Sequence, residues 1–267
     1  MNLEQVKAAV NEADTVYILA GAGLSAEIGI PVYWTGDHAR YGETKSEEGY
    51  TALEHAHGPL WSYDPDAQVE YFKKLYASIK SISLNNSVYS KLLKLMEGKK
   101  YFVITSNVDS AFINAGFDKK SVFEVHGSYA ISQCLIDPLH GIFPTKVGEE
   151  TFCVRCGMIA RPNVMYFDDL WFNPDRAQRQ NTASGDFFEY VAAKSKKPVI
   201  LELGVGTTVP RIRQMGNRMF RDLKKAPYIH VNLEPEPEFL FSGMVTVPAP
   251  EVWIQDNAES VIDYWSS

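Results

Sequence analysis

The chain has 267 residues, 45% of them hydrophobic and 12% aromatic, which is enough apolar material for a sizeable core and too much for a disordered polymer. Its formal net charge is -7 at pH 7 and it has no long basic run, so no nucleic acid and no membrane surface is expected as a principal partner. Three cysteines are too few for a disulfide scaffold, and the amino terminus lacks the cationic-then-apolar order of a signal peptide, which makes a cytoplasmic location the default.

Apolar residues at helical spacing predict a first helix over about Leu3 to Ala13. From Thr15 to Pro31, TVYILAGAGLSAEIGIP, an apolar strand containing Val16, Ile18 and Leu19 runs into a turn and then a helix start. Gly21, Gly23 and Ala26 fit the G-x-G-x-x-G/A turn that lets backbone approach a pyrophosphate, and the open N–H groups of the helix start favour an anion. The plainer reading of the same residues is a tight strand-to-helix turn. Residues of about 33–66, rich in Gly, Tyr, Trp and His, show no sustained periodicity and read as a lid-like insertion. Within it His38, His55 and His57 read as solvated residues or helix caps, because His55 and His57 are not at the i, i+4 spacing that aims two imidazoles at one ion. Tyr33, Trp34, Tyr41, Tyr50 and Trp61 read as anchors of the insertion.

Helices are predicted next over Ala67 to Ile82 and Ser87 to Glu97, and strands over Tyr101 to Thr105, Val122 to Val125, Val199 to Leu203 and Tyr228 to Leu233. This alternation predicts an α/β fold, a Rossmann-like parallel sheet flanked by helices. Ligands of such sheets bind beyond the carboxyl ends of the strands. Those ends here carry Gly21, Ala22 and Gly23; Ser106, Asn107 and Asp109; His126 and Gly127; Gly204, Gly206 and Thr207; and Asn232 and Glu234. Any one of these groups is explained by a turn, whereas all of them together point to a nucleotide site. Residues 127–161 break the pattern with Pro138, Pro144 and Cys153-Val-Arg-Cys156-Gly, a spacing suited to a metal or redox site. The expected organisation is therefore a nucleotide-binding domain from 1–126 and 162–267, with a small inserted module over 127–161.

In this order the motifs resemble the sirtuins, NAD-consuming protein deacylases and ADP-ribosyltransferases. Gly21-Ala22-Gly23-Leu24-Ser25 with Gly29-Ile30-Pro31 is similar to the family's GAG-x-S and GIP elements, which implies contacts to the pyrophosphate and the nicotinamide pocket. Thr105-Ser106-Asn107-Val108-Asp109 resembles T-Q-N-I-D, whose Asn and Asp face the nicotinamide ribose and carboxamide. Val125-His126-Gly127-Ser128 resembles the H-G element, which implies that His126 is the general base, a role suited to imidazole. Arg161-Pro162 with Phe167-Asp168-Asp169, Gly206-Thr207-Thr208, and Val231-Asn232-Leu233-Glu234 are similar to the R-P-x-V-V-x-F-G-E strand and to the adenosine-side G-T-S and I-N-x-E elements.

The resemblance implies catalytic roles for His126 and Asn107, NAD bound along the strand ends, and a zinc site at Cys134, Cys153 and Cys156 with Asp137 or His140 completing it. The other reading of the module is three buried thiols without metal. Departures are informative. GIP continues as Val32-Tyr33-Trp34-Thr35 instead of D-F-R-S, with Arg40 as a candidate replacement cation; Ser106 stands for Gln and Asp168 for Gly. Gly206-Thr207-Thr208-Val209-Pro210 is shorter than the usual segment, and these changes together with the Phe102 to Phe117 stretch look closer to bacterial macrodomain-associated sirtuins, which transfer ADP-ribose, although that group lacks the histidine kept here. The expected activity is deacylation of protein lysine, releasing nicotinamide and O-acyl-ADP-ribose, with an acylated or ADP-ribose-accepting protein as partner. ADP-ribose transfer, NAD hydrolysis and a non-catalytic NAD sensor are the alternatives.

Overall fold

A computed structural model describes residues 1–30, 45–206, 210–233 and 250–267. Along the chain they form α1 (Leu3–Glu12), β1 (Thr15–Ala20), α2 (Ala22–Ala26), α3 (Ala52–His55), α4 (Leu60–Tyr63), α5 (Pro65–Ser81) and α6 (Val88–Leu95). Then follow β2 (Lys100–Thr105), α7 (Ala111–Asn114), β3 (Val122–Glu124), β4 (Gly127–Cys134), β5 (Ile142–Pro144) and β6 (Ala160–Val164). The last elements are α8 (Asp175–Lys194), β7 (Pro198–Leu203), α9 (Arg211–Leu223), β8 (Tyr228–Asn232), β9 (Glu251–Gln255) and α10 (Ala258–Ser266). No helix among the described residues is long and apolar enough to cross a membrane.

Every side chain of β1 is buried, and alternation sends them into two different cores. Val16, Ile18 and Ala20 pack with Val6 and Val10 of α1, Leu92 of α6 and Ile262 and Trp265 of α10. Tyr17 and Leu19 pack on the opposite face with Val191 of α8 and Ile212 and Phe220 of α9. A strand buried on both faces belongs to the middle of a parallel sheet. The six-stranded sheet has the order β3-β2-β1-β7-β8-β9, with every neighbouring pair parallel. The chain leaves β1 in one direction to lay down β2 and β3, then returns to lay β7, β8 and β9 on the other side. That reversal opens a crevice at the carboxyl ends of β1 and β7.

A second, three-stranded antiparallel sheet of order β5-β4-β6 is formed between β3 and α8. It is joined to α4 and α5 by a third core, in which Trp61, Phe72 and Tyr76 meet Tyr129, Val164 and Tyr166. Trp61 thus anchors the insertion. His55 corrects the expectation of a solvated histidine. It is fully buried, with Nδ1 2.6 Å from Gln68 Oε1, Nε2 3.0 Å from Ser46 Oγ, and its ring stacked on Tyr71. The two neutral polar partners make that burial affordable. His57, half-buried, lies 3.3 Å from Asp168. The expected positions His38, Arg40, Tyr33, Trp34 and Tyr41 lie outside the described residues.

Helices α8 and α9 have no counterpart among the sequence-based expectations. α8 is polar over most of its first half and concentrates its apolar contacts in Phe187, Phe188, Tyr190 and Val191 near its end, so no stripe runs along its length. α9 carries Gly216 mid-helix, which ordinarily argues against helix; here a Cβ would lie 2.1 Å from Tyr228 Oη and 2.5 Å from Leu19 Cδ1. The glycine lets α9 settle onto the sheet. Between them lies a buried charged cluster: Glu202 of β7 accepts from Arg213 of α9, from Tyr228 Oη at 2.5 Å, and bonds His230 Nδ1 at 2.9 Å. His230 Nε2 meets Glu251 of β9 at 2.9 Å and its ring stacks on Trp253.

Burial opposes the charge on His230, but the hydrogen bonds and charges of Glu202 and Glu251 outweigh it and raise its pKa above the usual histidine value. The raised folded pKa means that this stabilisation is full below about pH 6.5 and is lost as pH rises through the folded value. The melting temperature advantage of the parent over His230→Gln is therefore expected to shrink between about pH 6 and about pH 9. A difference that stays constant across that range would contradict a protonated His230.

Candidate active site

The crevice is built from two glycine turns pressed together. Gly21 and Gly23 follow β1, and Gly204 follows β7 with φ +59°. Gly23 N–H donates to Gly204 O at 3.0 Å, while a Cβ on Gly21 would lie 2.6 Å from Gly204 O and one on Gly204 2.3 Å from Leu24 N. No side chain fits at this contact, so the glycines serve close approach first. Ala22 opens α2 beside them, and among the described residues a Cβ on Gly206 would meet nothing within 4 Å.

Beneath the first turn lies a polar cluster drawn from three elements. Ser25 Oγ donates to Asp109 Oδ2 at 2.6 Å and accepts from Asn107 Nδ2 at 2.8 Å. With the Ser25 proton committed to a carboxylate, Tyr89 Oη, 2.8 Å away, must be the donor of their bond. Tyr89 is fit for that, since burial and the Asp109 charge push its pKa well above the usual phenol value. Asn107 Nδ2 also donates to Gly21 O at 2.9 Å, and Asp109 Oδ1 accepts from Ala111 N at 2.7 Å. Asp109 lines a cavity of about 240 Å³ whose wall is mixed, with Ile28, Ile30 and Ile79 beside Lys80, Asn85 and Asn114.

Ser106 and His126 stand at the next two strand ends. Burial, and then the positive charge of Arg211 at the start of α9, hold the His126 pKa below the usual histidine range, against a hydrogen bond with the Ser106 backbone. His126 is consequently a neutral imidazole near neutral pH. Its carbonyl accepts from Met165 N at 2.9 Å, just past β6. Gly127 has φ +85° and a Cβ there would lie 2.0 Å from Asn163 O, so the glycine after the histidine is what allows β4 to pair with β6. Asn232 sits at the end of β8 and donates from Nδ2 to Val205 O at 3.0 Å. Thr207 and Glu234 lie outside the described residues.

Two buried groups close to the site were not anticipated. Glu124 bonds Ser110 Oγ at 2.9 Å and pairs with Arg176, and Ser110 takes a left-handed backbone next to Asp109. Glu202 and Arg213 underlie the second glycine turn. The signal available in the sequence is a carboxylate inside an apolar strand, in Val-Phe-Glu-Val and Leu-Glu-Leu. A buried charge demands a partner, but the partner's position is a long-range fact.

In the small module, the ligand atoms of Cys134, His140, Cys153 and Cys156 all lie within 4.8 Å of one another. The Cys134 and Cys156 sulfurs are 3.7 Å apart and Cys153 Sγ is 3.6 Å from His140 Nδ1. A tetrahedral zinc with bonds of about 2.3 Å separates its sulfur ligands by about 3.8 Å, so the donor set and spacing fit that ion. Burial works against the Cys153 thiolate, yet backbone N–H groups of Cys156 and Arg155 and the neighbouring thiols bring its pKa down to about 6. Of the two residues expected to complete the site, His140 is within reach. Asp137 stands behind it, 3.3 Å from His140 Nε2, where a carboxylate orients a ligating imidazole.

An open parallel sheet with a reversal crevice and a small inserted sheet, whose cysteines and histidine are spaced to hold a metal, defines a Rossmann-like α/β class. Residues 21–187 match the model of the Sir2 family, and the chain belongs to that family. It is 27% identical over 223 residues to NAD-dependent protein deacylase 2 of Pseudomonas aeruginosa, covering 79% of this chain and 82% of the relative. It is 26% identical over 253 residues to a protein ADP-ribosyltransferase of Staphylococcus aureus, covering 86% of this chain and 77% of that one. A crystal structure of a Sir2 homologue–NAD complex shares the fold with a TM-score of 0.70 at 21% identity, covering 98% of this chain and 91% of that chain.

Protein prepared without added metal is expected to carry about one zinc per chain. Asp137→Asn should then weaken retention against a chelator by about tenfold, and His140→Ala should lower the metal content outright. Metal content near zero in the unaltered protein would remove the site.

Proposed function

We propose that this protein consumes NAD, and that its principal reaction is removal of an acyl group from a lysine side chain of a protein, with nicotinamide and O-acyl-ADP-ribose as products. The observation that carries this reading is the placement of His126, its pKa held down by burial and Arg211, at the same sheet edge as the Ser25–Asn107–Asp109 cluster and the paired glycine turns. The match to the Sir2 family and the deacylase name of the Pseudomonas relative support it.

Breaking the bond between nicotinamide and ribose builds positive charge on the sugar, so the site must hold the leaving carboxamide and keep stray water away. In this reading Asp109 and Asn107 hold the nicotinamide side, with Ser25 and Tyr89 locking their rotamers. Gly21, Ala22, Gly23, Gly204, Gly206, Thr207, Asn232 and Glu234 serve the ADP side, and Ser106 contributes backbone beside the base. His126 takes a proton from a ribose hydroxyl through the ring nitrogen that the Ser106 backbone leaves open. ADP-ribose transfer to protein is the second reading, favoured by the near-equal likeness to the Staphylococcus transferase.

An assay with NAD and matched acylated and unmodified peptides decides between them. Nicotinamide release that requires the acyl group is expected; release that ignores it, or label retained on protein, would favour hydrolysis or transfer. His126→Ala should lower deacylation by about 10²-fold or more while sparing nicotinamide exchange, since the base acts after the first bond breaks. Equal loss of both would make His126 a pocket residue instead. Because Arg211 lowers the histidine pKa, the acid limb of the pH–rate profile should move to higher pH in Arg211→Gln. A limb that stays in place would mean that another group sets it.

A further inference from the structure

Beyond β7 the ladder stops, and the main chain of the second glycine turn must find other partners. Gly204 N–H donates to Val231 O at 2.9 Å and Gly204 O accepts from Gly23 N–H at 3.0 Å. The next carbonyl, that of Val205, is held from two sides: Arg213 Nη2 donates to it, and so does Asn232 Nδ2 at 3.0 Å. Arg213 is in turn fixed by Glu202 Oε1, 3.0 Å from its Nε and 2.8 Å from its Nη2, and its guanidinium lies 5.1 Å from the centre of the Trp253 ring.

Arg213 is 4% exposed and Glu202 1%, so the arginine does not reach solvent as a phosphate ligand in its own right. As a matter of stability such an ion pair is weak evidence, because replacing a whole buried pair by well-packed apolar residues is often neutral. What apolar residues cannot do is bond a carbonyl at a strand end. In a trans peptide the C=O and the following N–H point in opposite directions, so drawing the Val205 carbonyl inward turns the Gly206 N–H outward. Among the described residues, nothing lies within 4 Å of a Cβ placed on Gly206.

We propose that Arg213 is a positioning residue for the dinucleotide: by holding the Val205 carbonyl against the sheet it presets the Gly206 N–H as a donor to the ADP half of NAD. The inference rests on the NAD reading above. It assigns Glu202 the task of aiming Arg213, and it separates affinity for the ADP half from the bond-breaking chemistry around His126 and Asp109.

Calorimetric titration of ADP-ribose and of NAD into Arg213→Met, Arg213→Lys and the unaltered protein tests it. Arg213→Met should weaken both ligands to the same degree, by about tenfold, with kcat at saturating NAD changed by less than about twofold. Arg213→Lys, which keeps the charge and loses the planar fork, should fall between. Phe220→Leu, a core change on the same face of the sheet, provides the comparison for simple loosening and should lower the melting temperature without altering ADP-ribose affinity. Unchanged ADP-ribose affinity in folded Arg213→Met would overturn the proposal, as would an equal loss in Phe220→Leu. If Arg213→Met does not fold, unchanged affinity in Arg213→Lys overturns it. Failure of the unaltered protein to bind either ligand is a different result, which removes the NAD reading and this inference with it.

Discussion

The contact between the two glycine turns is the constraint from which the rest of the site follows. Gly21 and Gly23 touch Gly204 at distances that leave no room for a methyl group, so the ends of β1 and β7 can approach only with glycine on both sides. That approach happens at the one place where the strand order reverses, between neighbours that are parallel and in register. Helices leave the two strands on opposite faces there, and the gap between them is the crevice. The polar groups of the site are then arranged by what lies directly under each turn: Ser25, Asn107 and Asp109 below the first, Glu202 and Arg213 below the second.

Both under-layers follow one rule. A buried carboxylate is tolerated where several donors converge on it, and those donors are consequently fixed in place. Asp109 is held by Ser25 and the Ala111 N–H, Glu124 by Ser110 and Arg176, and Glu202 by Arg213, His230 and Tyr228. Each of these carboxylates follows or ends a sheet strand or lies within one. The fold accepts the cost of three buried acids and gains a rigid edge in return.

Much of this was legible in the chain. Strands β1, β2, β7 and β8 are apolar runs closed by glycine or small polar residues, which is the direct signature of a parallel sheet buried on both faces, and the order of their ends brought Gly21, Asn107, Asp109, His126, Gly204 and Asn232 into one list. Helices α8 and α9 were hidden because one gathers its apolar contacts near a single end and the other depends on Gly216 passing close to Tyr228, a contact set by tertiary packing. The same limit applies to partners. Glu202 stands out in an apolar strand, but nothing local shows that Arg213 meets it; Asp137 and His140 were equal candidates for the metal until their geometry ranked them; and His55 looked solvated because Gln68 and Tyr71, which enclose it, come from a separate helix.

His126 is bracketed by the two strands of the small sheet that also carry the cysteine module. Gly127 begins β4 directly after it, and Met165, directly after β6, bonds its carbonyl; at the other end of the same strand pair Cys134 closes β4. Gly23 likewise meets Gly204, a residue distant from it in sequence. Contacts of such wide sequence separation form slowly, because the loop between them must close first. The order of assembly during folding is thereby implied: the helices can appear early, whereas the crevice and its histidine can exist only after the last long-range strand pairs have joined. A chain that stops before β7 would lack Gly204, and with it the second wall of the crevice.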